Sequence, residues 1–293
     1  MDVMARIEKA LHGALAASET ASGPPRLAAA VRHAVFPGGA RIRPRLVLAV
    51  AHACGDDAPG LTDAAAASIE LLHCASLVHD DLPCFDDAAT RRGQASVNRA
   101  FGERLAVLAG DALIVLAFQA LAEAGTLRPQ RLATLLTTIA RGVGMPDGIV
   151  AGQAWECEPR VDLRDYQRAK TGALFSAATM AGAQAAGAAA SPWRALGEWL
   201  GEAYQVADDI RDVVADPVLL GKPIGRDRAL GRPSAAAELG LGGALRNFQQ
   251  LVERAIESIP PCPREAQFRA LVRMESERLV PRSLCGELIG LAA

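Results

Sequence analysis

Three stretches of this chain, 61–82, 103–123 and 163–189, carry apolar residues around almost the whole circumference of a helix. A helix without a polar face must be wrapped by other helices, so each of the three belongs at the centre of a bundle. Ala and Leu recur throughout, and alternating runs of Val, Ile and Thr are absent, so helix is the regular element the pattern supports. Further helices are expected over 2–18, 26–35, 43–54, 129–142, 146–156, 193–215, 242–258 and 264–279. Gly and Pro mark the joints, at Gly23-Pro24-Pro25, Pro37-Gly38-Gly39, Gly125 to Pro129, Ser191-Pro192, Gly221 to Pro223 and Pro260 to Pro263. No joint has the length of a linker and no repeat of fixed length occurs. Residues 1–293 therefore read as one all-α domain.

Composition narrows the classes of function. With 51% apolar residues a sizeable core can form, and with 4% aromatics it must be filled by aliphatic packing. A formal charge of −2 implies no general attraction to nucleic acid or to anionic lipid. The six cysteines show no CxxC pair, and read as small core residues in a reducing compartment. Asp2, Arg6, Glu8 and Lys9 make residues 1–18 an amphipathic surface helix, not a secretory signal. The greasy run at about 177–190 is mostly Ala and Gly with Gln184 inside it, too weakly apolar to span a bilayer. A cytoplasmic protein without stable membrane insertion is expected.

Two acidic clusters follow apolar helical runs. Asp80-Asp81-Leu-Pro-Cys-Phe-Asp86-Asp87 closes the helix over 61–82, and Asp208-Asp209-Ile-Arg-Asp212 lies late in the helix over 193–215. Asp208 and Asp212 share a face one turn apart. Asp80 and Asp86 share none on a straight helix, but Pro83 removes a backbone donor and crowds the preceding turn, so the chain should end or bend there and swing Asp86 round. Stacked carboxylates repel one another, and desolvation adds to the penalty. A hard divalent cation relieves both, and oxygen ligands without clustered Cys or His favour Mg²⁺ or Mn²⁺. Solvated helix ends decorated with acid are the plainer alternative for either cluster alone; two in one chain favour metal.

Mg²⁺ normally bridges carboxylates to substrate phosphates. Cations suited to phosphate stand at Arg41 and Arg43 after Gly38-Gly39, at Arg91 and Arg92 after the first cluster, at Lys170 before Thr171-Gly172, and at Lys222 after Gly221. Singly each reads as an ordinary surface residue; jointly they flank the acidic clusters.

These residues resemble the trans-isoprenyl diphosphate synthases over roughly 26–258. The resemblance is carried in order by HCASLVHDDLPCFDDAATRRG (73–93), FGERLAVLAGDAL (101–113), KTGALF (170–175), YQVADDIRD (204–212) and LGKPIGRD (220–227). It implies the isoprenoid synthase fold, an antiparallel helical bundle around a deep apolar cavity, assembled as a homodimer. It also implies the substrates, an allylic diphosphate and isopentenyl diphosphate. Asp80 and Asp86 would bind Mg²⁺ on the allylic diphosphate, supported by Asp81 and Asp87, and Asp208 would hold a further Mg²⁺ with Asp209 and Asp212 nearby. Arg91, Lys170, Lys222 and Arg232 would grip the allylic diphosphate. Arg43, His73 and Arg92 would bind isopentenyl diphosphate, while Thr171 and Gln205 would line the space where a carbocation forms.

In such synthases the residues just upstream of the first cluster face the growing tail. Here Ala75 and Ser76 are small, and an aromatic at position 75 would close the cavity near fifteen carbons. Leu72 or Leu71 would then form the floor, so the expected product is geranylgeranyl diphosphate. The plainer reading makes Ala75 a small residue where helices approach.

Several positions depart from the pattern. Ala40 stands where lysine is usual, Asn98 where histidine is frequent, Glu156 where aspartate is common, and Arg232 at a lysine position. Arg41 is a candidate to compensate for Ala40. A farnesyl diphosphate synthase, a class I terpene cyclase, which needs no isopentenyl site, and a non-catalytic partner subunit of a synthase are the alternatives.

Overall fold

The computed structural model describes residues 2–16, 18–20, 22–36, 38–160, 162–214 and 235–280. Helices dominate them: α1 (Val3–Ala16), α2 (Pro25–Val35), α3 (Ile42–Cys54), α4 (Pro59–Asp80), α5 (Val97–Phe101), α6 (Glu103–Gly125), α7 (Pro129–Val143), α8 (Ile149–Ala154), α9 (Leu163–Gln167), α10 (Ala173–Ala185), α11 (Arg194–Val214), α12 (Ala235–Glu257) and α13 (Glu265–Leu279). Proline stands at the first turn of α2, α4 and α7, where its missing N–H has no intrahelical acceptor to lose.

α4 and α10 occupy the centre, as the pattern requires, whereas the third apolar helix, α6, packs along α4 with one side left to solvent, where Val107, Leu108 and Val115 are exposed. α4 packs against α6, α3, α10 and α1, and α10 against α3, α7 and α11. Small side chains dominate these seams: Ala65, Ala66, Ala106, Ala109, Ala178 and Ala181 are fully buried. Two glycines on α11 allow a closer approach still. A Cβ on Gly201 would stand 2.9 Å from the Cα of Gly172, and one on Gly197 would meet the backbone of Ser176. Backbone therefore lies on backbone where α11 meets α10, and this sets α11 against the residues just before α10.

Four local features depart from the expected pattern. A two-stranded antiparallel hairpin, β1 (Thr90–Arg91) and β2 (Gln94–Ala95), follows the first acidic cluster. The helix expected over 163–189 runs to Ala185 and carries a π turn at Arg168–Gly172, between α9 and α10. α12 begins at 235, and Gly240, at φ +65°, breaks it just before the expected start at 242. Finally, α4 and α6 are each long and apolar enough to cross a membrane by length and composition, a property that weighing the run at 177–190 alone passed over. α4 is mostly buried inside the bundle, with α6 packed along it.

Candidate active site

A cavity of about 700 Å³ opens between α4, α6, α8, the π turn and α11. Its more exposed wall is polar, with Asp80, Lys170, Gln205 and Asp208, and its more buried wall is apolar, with Leu72, Ile114, Val143 and Leu174. Asp80 and Asp208 thus line one chamber, on α4 and α11. Arg43, His73, Thr171, Ala75 and Ser76 also face it, whereas Leu71, although buried, does not.

α4 ends at Asp80, and the chain turns before Pro83. Leu82 N–H donates to His79 O at 3.1 Å, and Asp86 N–H donates back to Asp80 O at 2.9 Å. This is the return that brings Asp86, the third acidic position of the motif, back beside the first. Asp80 Oδ1 is buried without a hydrogen-bond partner, 3.6 Å from Lys170 Nζ. Burial pushes the Asp80 carboxyl above its ordinary range; Lys170 opposes the shift and Asp86 adds to it. Burial lowers the Lys170 ammonium, but Asp80, Tyr166 and Glu156 outweigh it and hold it above its usual value.

The π turn presents Lys170 and Thr171 together. Thr171 Oγ1 donates to Gln205 Oε1 at 3.2 Å, and Gln205 Nε2 donates to Asp209 Oδ1 at 3.1 Å. A polar chain therefore runs from the π turn to α11, and leaves Asp209 buried behind Gln205. Asp208 Oδ1 accepts from Arg211 at 2.8 Å. Asp212 lies one turn beyond Asp208 on α11.

The remaining members of the first cluster turn elsewhere. Asp81, 2% exposed, accepts from Arg91 Nε at 3.1 and 3.2 Å, so it positions the hairpin arginine, which also stands 3.9 Å from Asp80 Oδ2. Asp87 pairs with Arg99 at 3.0 Å on the surface.

Arg43 and His73 form a second polar corner. Arg43 Nη1 lies 3.3 Å from His73 Nε2, and its guanidinium stacks over Phe175 at 4.7 Å and Tyr204 at 5.9 Å. Burial and the positive charges of Arg43 and Arg92 hold His73 well below its ordinary pKa, hence neutral. Burial also lowers Arg43. Arg92 backs this corner: it donates to Glu70 at 3.5 Å, and it packs where a Cβ on Gly39 would stand 3.1 Å from its Nε.

Arg41 does not compensate for Ala40. Its side chain is fully buried and points away from the cavity, donating to Glu8 at 2.9 Å, Glu70 at 2.7 Å and Val35 O at 2.8 Å. It closes a structural ion-pair network. Glu70, which joins Arg41 and Arg92, escaped the sequence reading, although a lone acid inside apolar α4 three residues before His73 was a usable signal. Lys222 and Arg232 lie outside the described residues. Among the described residues no three His, Cys, Asp or Glu are grouped into a ready-made metal cage.

A polyprenyl synthetase family model matches residues 24–267. The chain belongs to the polyprenyl synthetase family. Two relatives of this family member are geranylgeranyl diphosphate synthases. That of Cereibacter sphaeroides is 53% identical over 97% of this chain and 98% of its own. That of Rhodobacter capsulatus is 49% identical over 96% and 97%. Among solved structures, a Helicobacter pylori geranyltransferase complexed with magnesium and isoprenyl diphosphate matches with a TM-score of 0.78 at 29% identity, covering 94% of this chain and 97% of that one. This polyprenyl synthetase is accordingly a prenyltransferase with an isoprenoid synthase fold.

Proposed function

We propose that this polyprenyl synthetase, a single domain over 1–293, condenses an allylic diphosphate head-to-tail with isopentenyl diphosphate. Diphosphate is released, and elongation stops at geranylgeranyl diphosphate. The observation that carries the reading is one chamber with carboxylates at its mouth and an apolar depth, entered past Lys170. The named relatives support the product, and Ala75, small and facing the chamber, supports a tail longer than fifteen carbons.

The donor set fits Mg²⁺, or Mn²⁺ in its place: a buried carboxylate oxygen without a hydrogen bond at Asp80, Asp86 folded back beside it, and Asp208 on the facing helix. All are hard oxygen ligands too few for a closed cage, the arrangement a cation completed by substrate phosphates and water requires. When bound, the metal supplies Lewis-acid stabilisation of the departing diphosphate. Lys170 and Arg91, with Lys222 and Arg232, grip the allylic diphosphate. Thr171 and Gln205 turn a hydroxyl and an amide dipole towards the developing cation, and the apolar walls keep water from it. Arg43, His73 and Arg92 hold isopentenyl diphosphate. The stacking of Arg43 on Phe175 and Tyr204 fixes its fork towards the chamber. No side chain is needed as the base in the last step, since the departing diphosphate accepts the proton.

Assembly as a homodimer suits α6. Its outer stripe exposes Leu108 and Val115 beside Arg104, Asp111 and Gln119, a mixed face that fits a second copy better than lipid. A reducing cytoplasm suits the free thiols of Cys54, Cys74, Cys84, Cys157 and Cys262. The test is incubation of the pure protein with Mg²⁺, isopentenyl diphosphate and each allylic primer in turn, followed by product identification. Geranylgeranyl diphosphate is expected; a cyclic hydrocarbon, or no elongated product from any primer, overturns the reading.

A further inference from the structure

The lysine at the chamber mouth is shared between two carboxylates, and the sharing is unequal. Lys170 Nζ donates to Glu156 Oε1 in a direct ion pair, while Asp80 Oδ1 stays 3.6 Å away, beyond hydrogen-bond reach. Glu156 is itself restrained from two sides. Its Oε1 also accepts from Tyr166 Oη at 2.5 Å, and its Oε2 accepts from Gln153 Nε2 at 3.0 Å. The Tyr166 ring lies 5.5 Å from the Lys170 ammonium, so one tyrosine contacts both members of the pair. α8 is pressed against the π turn, since a Cβ on Gly152 would stand 2.5 Å from the Cα of Lys170.

We propose that Tyr166 is a positioning residue: its hydroxyl pins the Glu156 carboxylate, and Glu156 in turn holds Lys170 off Asp80. A glutamate has one more rotatable bond than an aspartate and loses more freedom when fixed. A hydroxyl donating to the same oxygen as the ammonium removes that freedom, and bonds converging on one carboxylate reinforce one another. Burial, with Glu156 beside it, pushes the Tyr166 hydroxyl up to about 12, so it stays a donor at neutral pH. The consequence reaches the substrate. With Lys170 drawn to Glu156, the ammonium is poised for a diphosphate and the Asp80 oxygen is kept open. Without the hydroxyl, Glu156 gains rotamers and Lys170 falls onto Asp80, closing the oxygen that the substrate side needs.

The inference rests on Lys170 as a diphosphate contact in the proposed function, so its test has a readout independent of turnover. Calorimetric titration of inorganic diphosphate with Mg²⁺ into the wild type, Tyr166→Phe, and the Tyr166→Phe/Glu156→Asp double variant reads it directly. Phe keeps the ring and removes the hydroxyl. It is expected to weaken diphosphate binding about fivefold and to raise KM for the allylic substrate in parallel, with kcat, KM for isopentenyl diphosphate and melting temperature unchanged. The double variant, whose shorter carboxylate needs no brace, is expected to recover most of the loss. Unchanged diphosphate affinity in Tyr166→Phe, a joint rise of both KM values with a lower melting temperature, or no recovery in the double variant overturns the inference. A wild type that binds diphosphate but elongates nothing sinks the proposed function and leaves the comparison readable; one that binds no diphosphate overturns the inference as well.

Discussion

Asp80 and Lys170 face each other across the chamber mouth at 3.6 Å, and Asp80 Oδ1 receives no hydrogen bond although it is buried. A structural ion pair would close that gap, since desolvation of two charges is offset only by close, saturated contacts. At 3.6 Å the two charges stay out of hydrogen-bond contact.

Asp80 therefore works against the stability of the folded protein. Its carboxyl pKa is raised in the folded state, so the charged form opposes folding at neutral pH, and the penalty shrinks as pH falls through the folded value towards the ordinary carboxylate range. Asp80→Asn is expected to melt about 2–4 °C higher than the wild type at pH 7, as a relief of about 1 kcal/mol would give. That gap should narrow in acid, while elongation falls a hundredfold or more. Thermal melts across pH check this; a variant that melts lower at pH 7 shows an ion pair with Lys170 instead.

His73 titrates with the opposite sign. Its folded pKa lies below the unfolded one, so its contribution is complete above the ordinary imidazole range and is lost as pH falls below it, where the unfolded chain takes a proton the folded chain refuses. His73→Gln is expected to flatten the loss of stability between about pH 7 and pH 5 and to keep KM for isopentenyl diphosphate within a few fold. His73→Phe, which cannot bond Arg43, is expected to raise that KM about tenfold without moving the allylic KM. Urea unfolding at several pH values, with both KM values, decides; equal slopes in wild type and His73→Gln remove the titration from the account.

Arg41 offers the sharpest contrast between stability and catalysis. Arg41→Ala leaves the Glu70 carboxylate, 2% exposed, with Arg92 at 3.5 Å as its remaining arginine, and is expected to destabilise the fold by about 3–5 kcal/mol. The allylic KM is expected to hold wherever the variant remains folded. Denaturant midpoints measure the first effect, and a loss under about 1 kcal/mol would return Arg41 to the surface cations.

Product length tests the chamber wall. Ala75 faces the chamber one helical turn before His79 on α4, so Ala75→Phe is expected to shorten the product to fifteen carbons. Chromatography of the dephosphorylated products reads the outcome, and an unshortened product discards the gate.

The helices, their order and the two acidic walls were legible because they rest on local period and on clusters of one residue type. Arg41 and Arg43 show where such reading stops. Both follow Gly38-Gly39, yet two positions apart at the start of a helix they point to opposite sides, one to Glu8 on α1 and Glu70 on α4, the other into the chamber. Only the packing of α1 decides which is which, and no spacing near residue 40 encodes it. The pairing of Asp81 with Arg91, ten residues on, was likewise out of reach, because it depends on the chain folding back over α4. The hairpin at 90–95 escaped because strands of two residues have no alternation to detect. The π turn escaped because one additional residue barely disturbs a helical period.

That additional residue carries a lesson for anyone shortening or grafting this chain. A π turn is a helix with one surplus amino acid, so a deletion between Arg168 and Gly172 would restore regular geometry and could even firm up the bundle. It would also rotate everything before the cut by about 100° around the helix axis, carrying the ammonium and hydroxyl off their wall. Here irregularity is the asset, and tidying it would leave a sound scaffold whose chamber wall has lost Lys170 and Thr171.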